Sequence, residues 1–216
     1  RILELHCPAV IVNSESTVPG VPAVMSDNIM GGRIAAEHVL DLGHRALVFV
    51  GDDDDHNSAV QARIEGALAA VTDRADRGLS FRVVASVGIT DGAVEGGIRA
   101  ARELVDASFE ETAVLCRNDL SAIGVMRGLI DAGLRIPEDV SVVGYDDIEL
   151  AAYVDPALTT IRQSTDEMAR LAVADLFERI EQGRGPADEE ADAPPGETTR
   201  VPVELIARSS VGRAPG

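Results

Sequence analysis

The sequence predicts an α/β fold built on parallel strands, and three observations carry that prediction. Short apolar runs alternate along the chain with longer stretches whose apolar residues recur at helical spacing. The runs ALVFV (46–50), AVLCR (113–117) and VSVVGY (140–145) are apolar nearly throughout, as strands covered on both faces are. Gly43 and Gly133 fall just past two of the helical stretches, where a left-handed residue ends a helix. Such an alternation implies right-handed crossovers with helices on both faces of the sheet.

The elements follow in order. AVIVN (9–13) and the apolar run 21–25 are short strands separated by Pro and Gly. Asp27 and Asn28 sit at an N-cap, after which Ile34, Ala35, His38, Val39 and Leu42 repeat at helical spacing up to Gly43. Strand 46–50, a helix over about 58–72, strand 82–86, helix 92–106, strand 113–117, helix 119–132 and strand 140–145 continue the pattern. Ser164 and Glu167 have the spacing of a capping box, and Met168, Leu171, Ala172, Leu176 and Ile180 line one face of a helix to about 182. Residues 183–199 are rich in Pro, Gly and acid without apolar periodicity, which predicts a flexible loop. VPVELI (201–206) is a last strand.

Composition bounds the function. The chain has 216 residues, enough for one domain or two small ones. No apolar run approaches the roughly 20 residues that cross a bilayer, so a membrane span is excluded. The opening RILELHCPAVIVN lacks a charged flank, an h-region and a cleavage site, and reads as the middle of a folded domain whose upstream part is missing. Cys7 and Cys116 both lie in apolar stretches and are expected as small buried side chains, consistent with a reducing cytoplasm. A formal charge of −18 without a basic stripe excludes DNA binding by these residues alone.

Polar residues cluster at strand ends. Asn118 and Asp119 follow strand 113–117, Asp146 and Asp147 follow strand 140–145, and Arg63 lies in the first turns of the helix after strand 46–50. In a parallel sheet, loops and helix N-termini converge there. Carboxylates, a carboxamide and a five-donor guanidinium suit a polyhydroxylated molecule. Each acid or amide could instead cap a helix, and Arg63 could be a surface residue. No G-x-S-x-G elbow is present, and His6, His38, His44 and His56 lack metal-ligand spacing; His38 is expected to be packed. The run GDDDDH (51–56) reads as a solvated loop rather than a cation site, and no glycine pattern marks a dinucleotide. No cofactor or metal is expected.

The strings SDNIMGGRIAAEHVLDLGHR (26–45), RIEG (63–66), CRNDLSAIGVMRGLIDAGLRIPEDVSVVGYDDI (116–148), DPALTTIRQ (155–163) and ELIARSS (204–210) resemble the effector-binding core of the lactose repressor (LacI/GalR) family of bacterial transcription regulators. The resemblance implies a periplasmic-binding-protein-like fold of two α/β lobes with an effector between them. It implies that 27–161 and 200–210 form a complete C-terminal lobe, that 1–26 and 163–185 are a remnant of the N-terminal lobe, that 186–199 is an acidic loop, and that the DNA-binding domain is absent. Residue by residue it implies effector binding by Arg63, Asn118 and Asp146, with Asn13 where many members have Asp and Gln163 near the hinge. Asp146 would face the ligand, and Asp147 would begin the next helical turn. The loop ITDG (89–92) lacks the aromatic that many members stack on a sugar.

The function so implied is that of a dimeric repressor controlled by a small molecule, a sugar or related polyol or nucleoside, contacting operator DNA only through the missing domain. A secreted sugar receptor of a transport system shares the fold but needs an export signal. An enzyme would need a nucleophile, metal or cofactor motif. On this reading Arg63→Ala abolishes effector binding while leaving folding nearly intact.

Overall fold

The computed structural model describes residues 7–51, 58–74, 78–85, 93–107, 109–183 and 196–215. The chain divides into two units, one of Arg1–Asp27 with Ser164–Val203 and one of Asn28–Gln163 with Glu204–Gly216.

In the first unit, β1 (Ile11–Val12), β2 (Ala23–Ser26) and β8 (Thr198–Val201) form a parallel three-stranded sheet in the order β1-β2-β8. The helix α5 (Thr165–Gln182) packs Met168 and Ala172 against Val24 and Val201. It ends at Gly183, whose φ of 64 is left-handed and whose N–H reaches back to the carbonyls of Arg179 and Ile180. The expected capping box does not form. Ser164 has ψ of 68, away from the extended cap conformation, and its hydroxyl donates to Pro202 O at 3.3 Å. Glu167 instead pairs with Arg170 one turn on, at 2.6 Å.

The second unit holds a six-stranded sheet in the order β4-β3-β5-β6-β7-β9, made of β3 (Ala46–Gly51), β4 (Ser80–Ala85), β5 (Ala113–Cys116), β6 (Ser141–Asp146), β7 (Thr159–Gln163) and β9 (Val203–Ile206). Strands β4 to β7 run parallel. Because strand side chains alternate between faces, Val48, Val50, Val114, Cys116 and Val142 bury one face under α3 (Ala93–Asp106) and α4 (Asp119–Asp131). The alternate residues Leu47, Phe49, Leu115, Val143 and Tyr145 are buried on the other face, where α1 (Asn28–Asp41) lies over Tyr145 and packs on α2 (Ser58–Asp73). Glycines let the helix pairs approach: a Cβ on Gly32 would stand 1.9 Å from the carbonyl oxygen of Arg63.

Four expectations change. The run 201–206 is two strands in two sheets, because Pro202 has no N–H to continue a ladder. Thr198 and Thr199, expected in the loop, belong to β8, while 184–195 lie outside the described residues. Asn28, expected at the cap, is the first helical residue and buried. Cys7 is exposed rather than buried, and Cys116 is buried, with its thiol pushed far up by burial. No helix among the described residues is long and apolar enough to cross a membrane.

Candidate functional site

In the second sheet the chain passes from β3 outward to β4, then returns to β5 on the other side of β3. Strand order therefore reverses between β3 and β5, the place where open α/β sheets bind ligands beyond their carboxyl ends. Arg63 stands in α2 after β3, Arg117 and Asn118 follow β5, and Asp146 and Gln163 end β6 and β7.

Arg63 is 6% exposed. Its Nε donates to Asn28 Oδ1 at 2.9 Å, its Nη1 donates to the carbonyl of Arg117, and its guanidinium carbon lies 3.6 Å from the centroid of the Tyr145 ring. Burial lowers its pKa, opposed by Tyr145 and by the charge of Asp146. The guanidinium thus fastens α1 to α2 and both to the ends of β5 and β6. These contacts run against the expectation that Arg63→Ala leaves folding nearly intact.

Asp146 ends β6 with φ of 121, outside the conformations a side-chain-bearing residue usually adopts. One carboxylate oxygen accepts from Gln163 Nε2 at 2.6 Å. Burial raises its pKa, while Arg63, Gln163 and Arg117 pull the other way. Asp147, with φ of 59, does not begin a helical turn; the 3-10 turn Glu149–Ala152 starts two residues later. Its carboxylate is held by Arg162 at 2.7 Å and Arg208 at 2.6 Å. Burial pushes that carboxyl up, and the two arginines outweigh burial and leave it below the usual carboxylate range.

Asn118 is the N-cap of α4, its side-chain oxygen accepting from Ser121 N at 2.8 Å, so the capping alternative holds for that oxygen and the amide nitrogen remains for other contacts. Asp119 is fully buried and structural: it accepts from Thr160 Oγ1 at 2.5 Å and from Ile148 N at 2.9 Å. Burial raises its pKa to about 6. Asn13, at the end of β1 in the first unit, is exposed with φ of 60.

The structure therefore gathers Arg63, Asp146 and Gln163 at one edge, with Asn118 beside them. Sequence reasoning missed Arg117, Tyr145 and Asn28 there. Tyr145 could have been found from alternation along β6, since it shares a face with Val143. The partners of Arg63 had no local signal, because Asn28 lies 35 positions away. Among the described residues no group of His, Cys, Asp and Glu could hold a metal ion. GDDDDH beyond Gly51 and ITDG lie outside the described residues.

A doubly wound parallel sheet with polar side chains gathered at its switch point defines a periplasmic-binding-protein-like domain, and residues 36–211 match the family of that description. The ribose operon repressor of Escherichia coli strain K12 is 34% identical over 179 residues, spanning 76% of this chain and 52% of the repressor. A LacI family transcriptional regulator from Enterococcus faecium, solved with bound ribose, matches with a TM-score of 0.79 at 32% identity, over 95% of this chain and 71% of that one. The lac repressor dimer bound to operator and the anti-inducer ONPF matches with a TM-score of 0.75 at 26% identity, over 95% of this chain and 65% of that one. The chain belongs to the LacI family of transcriptional regulators. It spans about half the length of the curated relatives it matches, which are regulators rather than enzymes.

Proposed function

We propose that this chain is the effector-binding part of a LacI-type repressor and that it holds a small polyhydroxylated molecule, a sugar, at the carboxyl edge of the second sheet. The observation that carries the reading is the convergence of Arg63, Asp146 and Gln163, flanked by Arg117 and Asn118, where strand order reverses. A carboxylate accepts from sugar hydroxyls, a guanidinium donates to them, and a carboxamide does both. Asn13 joins these as a candidate contact through the resemblance alone. The ribose of the Enterococcus faecium regulator supports the ligand class.

Control of transcription follows from differential affinity. An effector that favours one conformation shifts the equilibrium toward it by the ratio of its two affinities, however tightly it binds. Operator DNA is contacted by a DNA-binding domain outside this chain, since a charge of −18 repels polyphosphate. The working form is a cytoplasmic homodimer. A groove of ≈ 350 Å³ lined by Ile123, Met126, Ile130 and Val154 with Arg127 and Asp155, next in sequence to Tyr153 at 76% exposure, is a face suited to a second copy.

A thermal-shift screen of the chain against sugars, nucleosides and sugar phosphates tests the reading. A ligand at 100 times its dissociation constant adds about 2.7 kcal/mol, a rise of several degrees. Indifference to every carbohydrate would count against it.

A further inference from the structure

We propose that Asp147 is a positioning residue of the site: by engaging Arg162 and Arg208 it keeps Asp146 off Arg162 and turned toward Arg63 and Gln163. The inference rests on the reading of this edge as the effector site.

Strand geometry alone would arrange these side chains the other way round. Strands β6 and β7 are parallel neighbours, with Tyr145 opposite Ile161 and Asp146 opposite Arg162. Side chains alternate between faces along a strand, so an extended β6 would send Asp146 to the side of Arg162 and Asp147 to the side of Gln163. The partners are exchanged. Asp146 Oδ1 accepts from Gln163 Nε2 at 2.6 Å, and Asp147 Oδ2 accepts from Arg162 Nε at 2.7 Å. The backbone makes the exchange: φ is 121 at Asp146 and 59 at Asp147, two consecutive values that side-chain-bearing residues rarely adopt.

Such a backbone persists only where its surroundings hold it. Asp147 supplies the hold. Its side chain is 9% exposed, and each oxygen takes a different guanidinium, Oδ2 that of Arg162 and Oδ1 that of Arg208 at 2.6 Å. Arg208 is anchored in turn, donating from Nη1 to Leu158 O at 2.8 Å and from its backbone N to Thr159 Oγ1 at 2.9 Å. The backbone N–H of Asp147 adds a longer bond to Thr160 Oγ1 at 3.4 Å. Bonds between ionised partners are the strongest of these, so the two guanidiniums carry most of the hold.

Without Asp147 the exchange loses its support. An alanine offers no carboxylate to either guanidinium and stands poorly at a φ of 59, so the exit of β6 relaxes toward an extended course. Asp146 then turns to the side of Arg162, the residue opposite it, which keeps only Glu204 at 3.4 Å among its ion pairs. A carboxylate drawn to that guanidinium has left the edge where Arg63 lies. Asp147 thus acts on the effector through Asp146 and touches nothing in the site itself.

The crystal structure of Asp147→Ala tests this directly. The Asp146 carboxylate is expected against Arg162, and an Asp146 still bonded to Gln163 overturns the inference. Calorimetry of the whole chain with D-ribose, D-galactose and cellobiose supplies a second test, in the sign of a rescue. Asp147→Ala is expected to weaken binding by about tenfold or more, the loss of one hydrogen bond to a charged group. Arg162→Ala leaves Asp147 its bond to Arg208 and is expected to change binding little. The double variant has no guanidinium opposite Asp146 and is expected to bind more tightly than Asp147→Ala alone. If Asp147 only supports the fold, removing a second member of its network weakens binding further. Unchanged binding by Asp147→Ala, or a double variant that binds no more tightly, overturns the inference and leaves the sugar site standing. Should Ala at 147 prevent folding, Asp147→Asn, which tolerates a left-handed backbone, takes its place with a smaller effect of the same sign. Binding of none of the three sugars by wild type overturns the reading of this edge as a sugar site, and the structure of the variant then decides the role of Asp147.

Discussion

Arg63→Ala is the substitution for which sequence and structure disagree most, and the structure sets a magnitude. The mutation removes two hydrogen bonds from a charged donor, to Asn28 Oδ1 and to the Arg117 carbonyl, and the stacking of the guanidinium on Tyr145. Bonds of that kind contribute about 1.5–3 kcal/mol each, and a desolvated cation–π contact about 2 kcal/mol. Against this stands the cost of burying the cation, several kcal/mol, which the mutation relieves. The acceptors left behind decide the balance. Asn28 is 1% exposed, so water poorly replaces the bond its oxygen accepted from Arg63, and Asp146 loses a neighbouring positive charge. A net loss of about 3 kcal/mol is expected, in line with breaking one partner of a buried charged network.

For a chain of this length, that corresponds to a fall of roughly 6–12 °C in melting temperature. Thermal unfolding followed by circular dichroism measures it directly. Arg63→Lys is expected to lie between, since an ammonium cannot serve both acceptors with a planar fork or stack on the ring. A double-mutant cycle with Asn28→Ala should return a coupling of about 1–2 kcal/mol. A melting temperature within about 2 °C of wild type for Arg63→Ala would refute the bracing role and restore the simpler view of Arg63 as a cleft residue only.

Gly144→Ala places a Cβ 2.2 Å from Asp119 Oδ1 and 2.9 Å from Leu158 Cδ2, so chemical denaturation should show a loss of about 2–3 kcal/mol from overpacking and a displaced Asp119. His44, 1% exposed and bonded to Thr112, Ser141 and Gly212, has its pKa lowered by burial. The unfolded chain then takes up the proton first, so stability should fall as pH drops below about 6.5, and His44→Gln should reduce that dependence in melts over the acid range, leaving the part due to His38, which burial also lowers. Asp119 is the opposite case: its pKa is raised from 3.8 to about 6, so its contribution is fully present below 3.8 and is lost as pH rises through about 6. Asp119→Asn should therefore flatten a decline of roughly 2–3 kcal/mol across that window, read as the difference between variant and wild-type stability at pH 4 and pH 7.

What was legible in the sequence was what is local. The strands β3, β5 and β6 announced themselves because both faces are covered and nearly every residue is apolar. The strand β7 did not, because Thr159 and Thr160 are buried through their hydroxyls: Thr159 Oγ1 accepts from Arg208 N at 2.9 Å, and Thr160 Oγ1 donates to Asp119. A polar residue whose partner lies 41 or 49 positions away carries no periodic signature. The capping box at Ser164 failed for the same reason in reverse. The local pattern was right, and a distant carbonyl at Pro202 took the hydroxyl.

The two adjacent acids show how the edge divides its labour. Successive residues leaving a strand point to different sides, so Asp146 and Asp147 were bound to meet different partners. Asp147 met two guanidiniums, and a carboxylate already held by Arg162 and Arg208 gains little from a hydroxyl, which would have to break a charge-assisted bond and return a weaker one. Asp146 met a neutral amide on one oxygen and stands beside Arg63 without a direct ion pair. Its bond can be exchanged for another of equal kind. Of the two acids, the one with the weaker hold is therefore the one fitted to bind, and the one with the stronger hold is fitted to keep β6, β7 and the segment after β9 in register while it does.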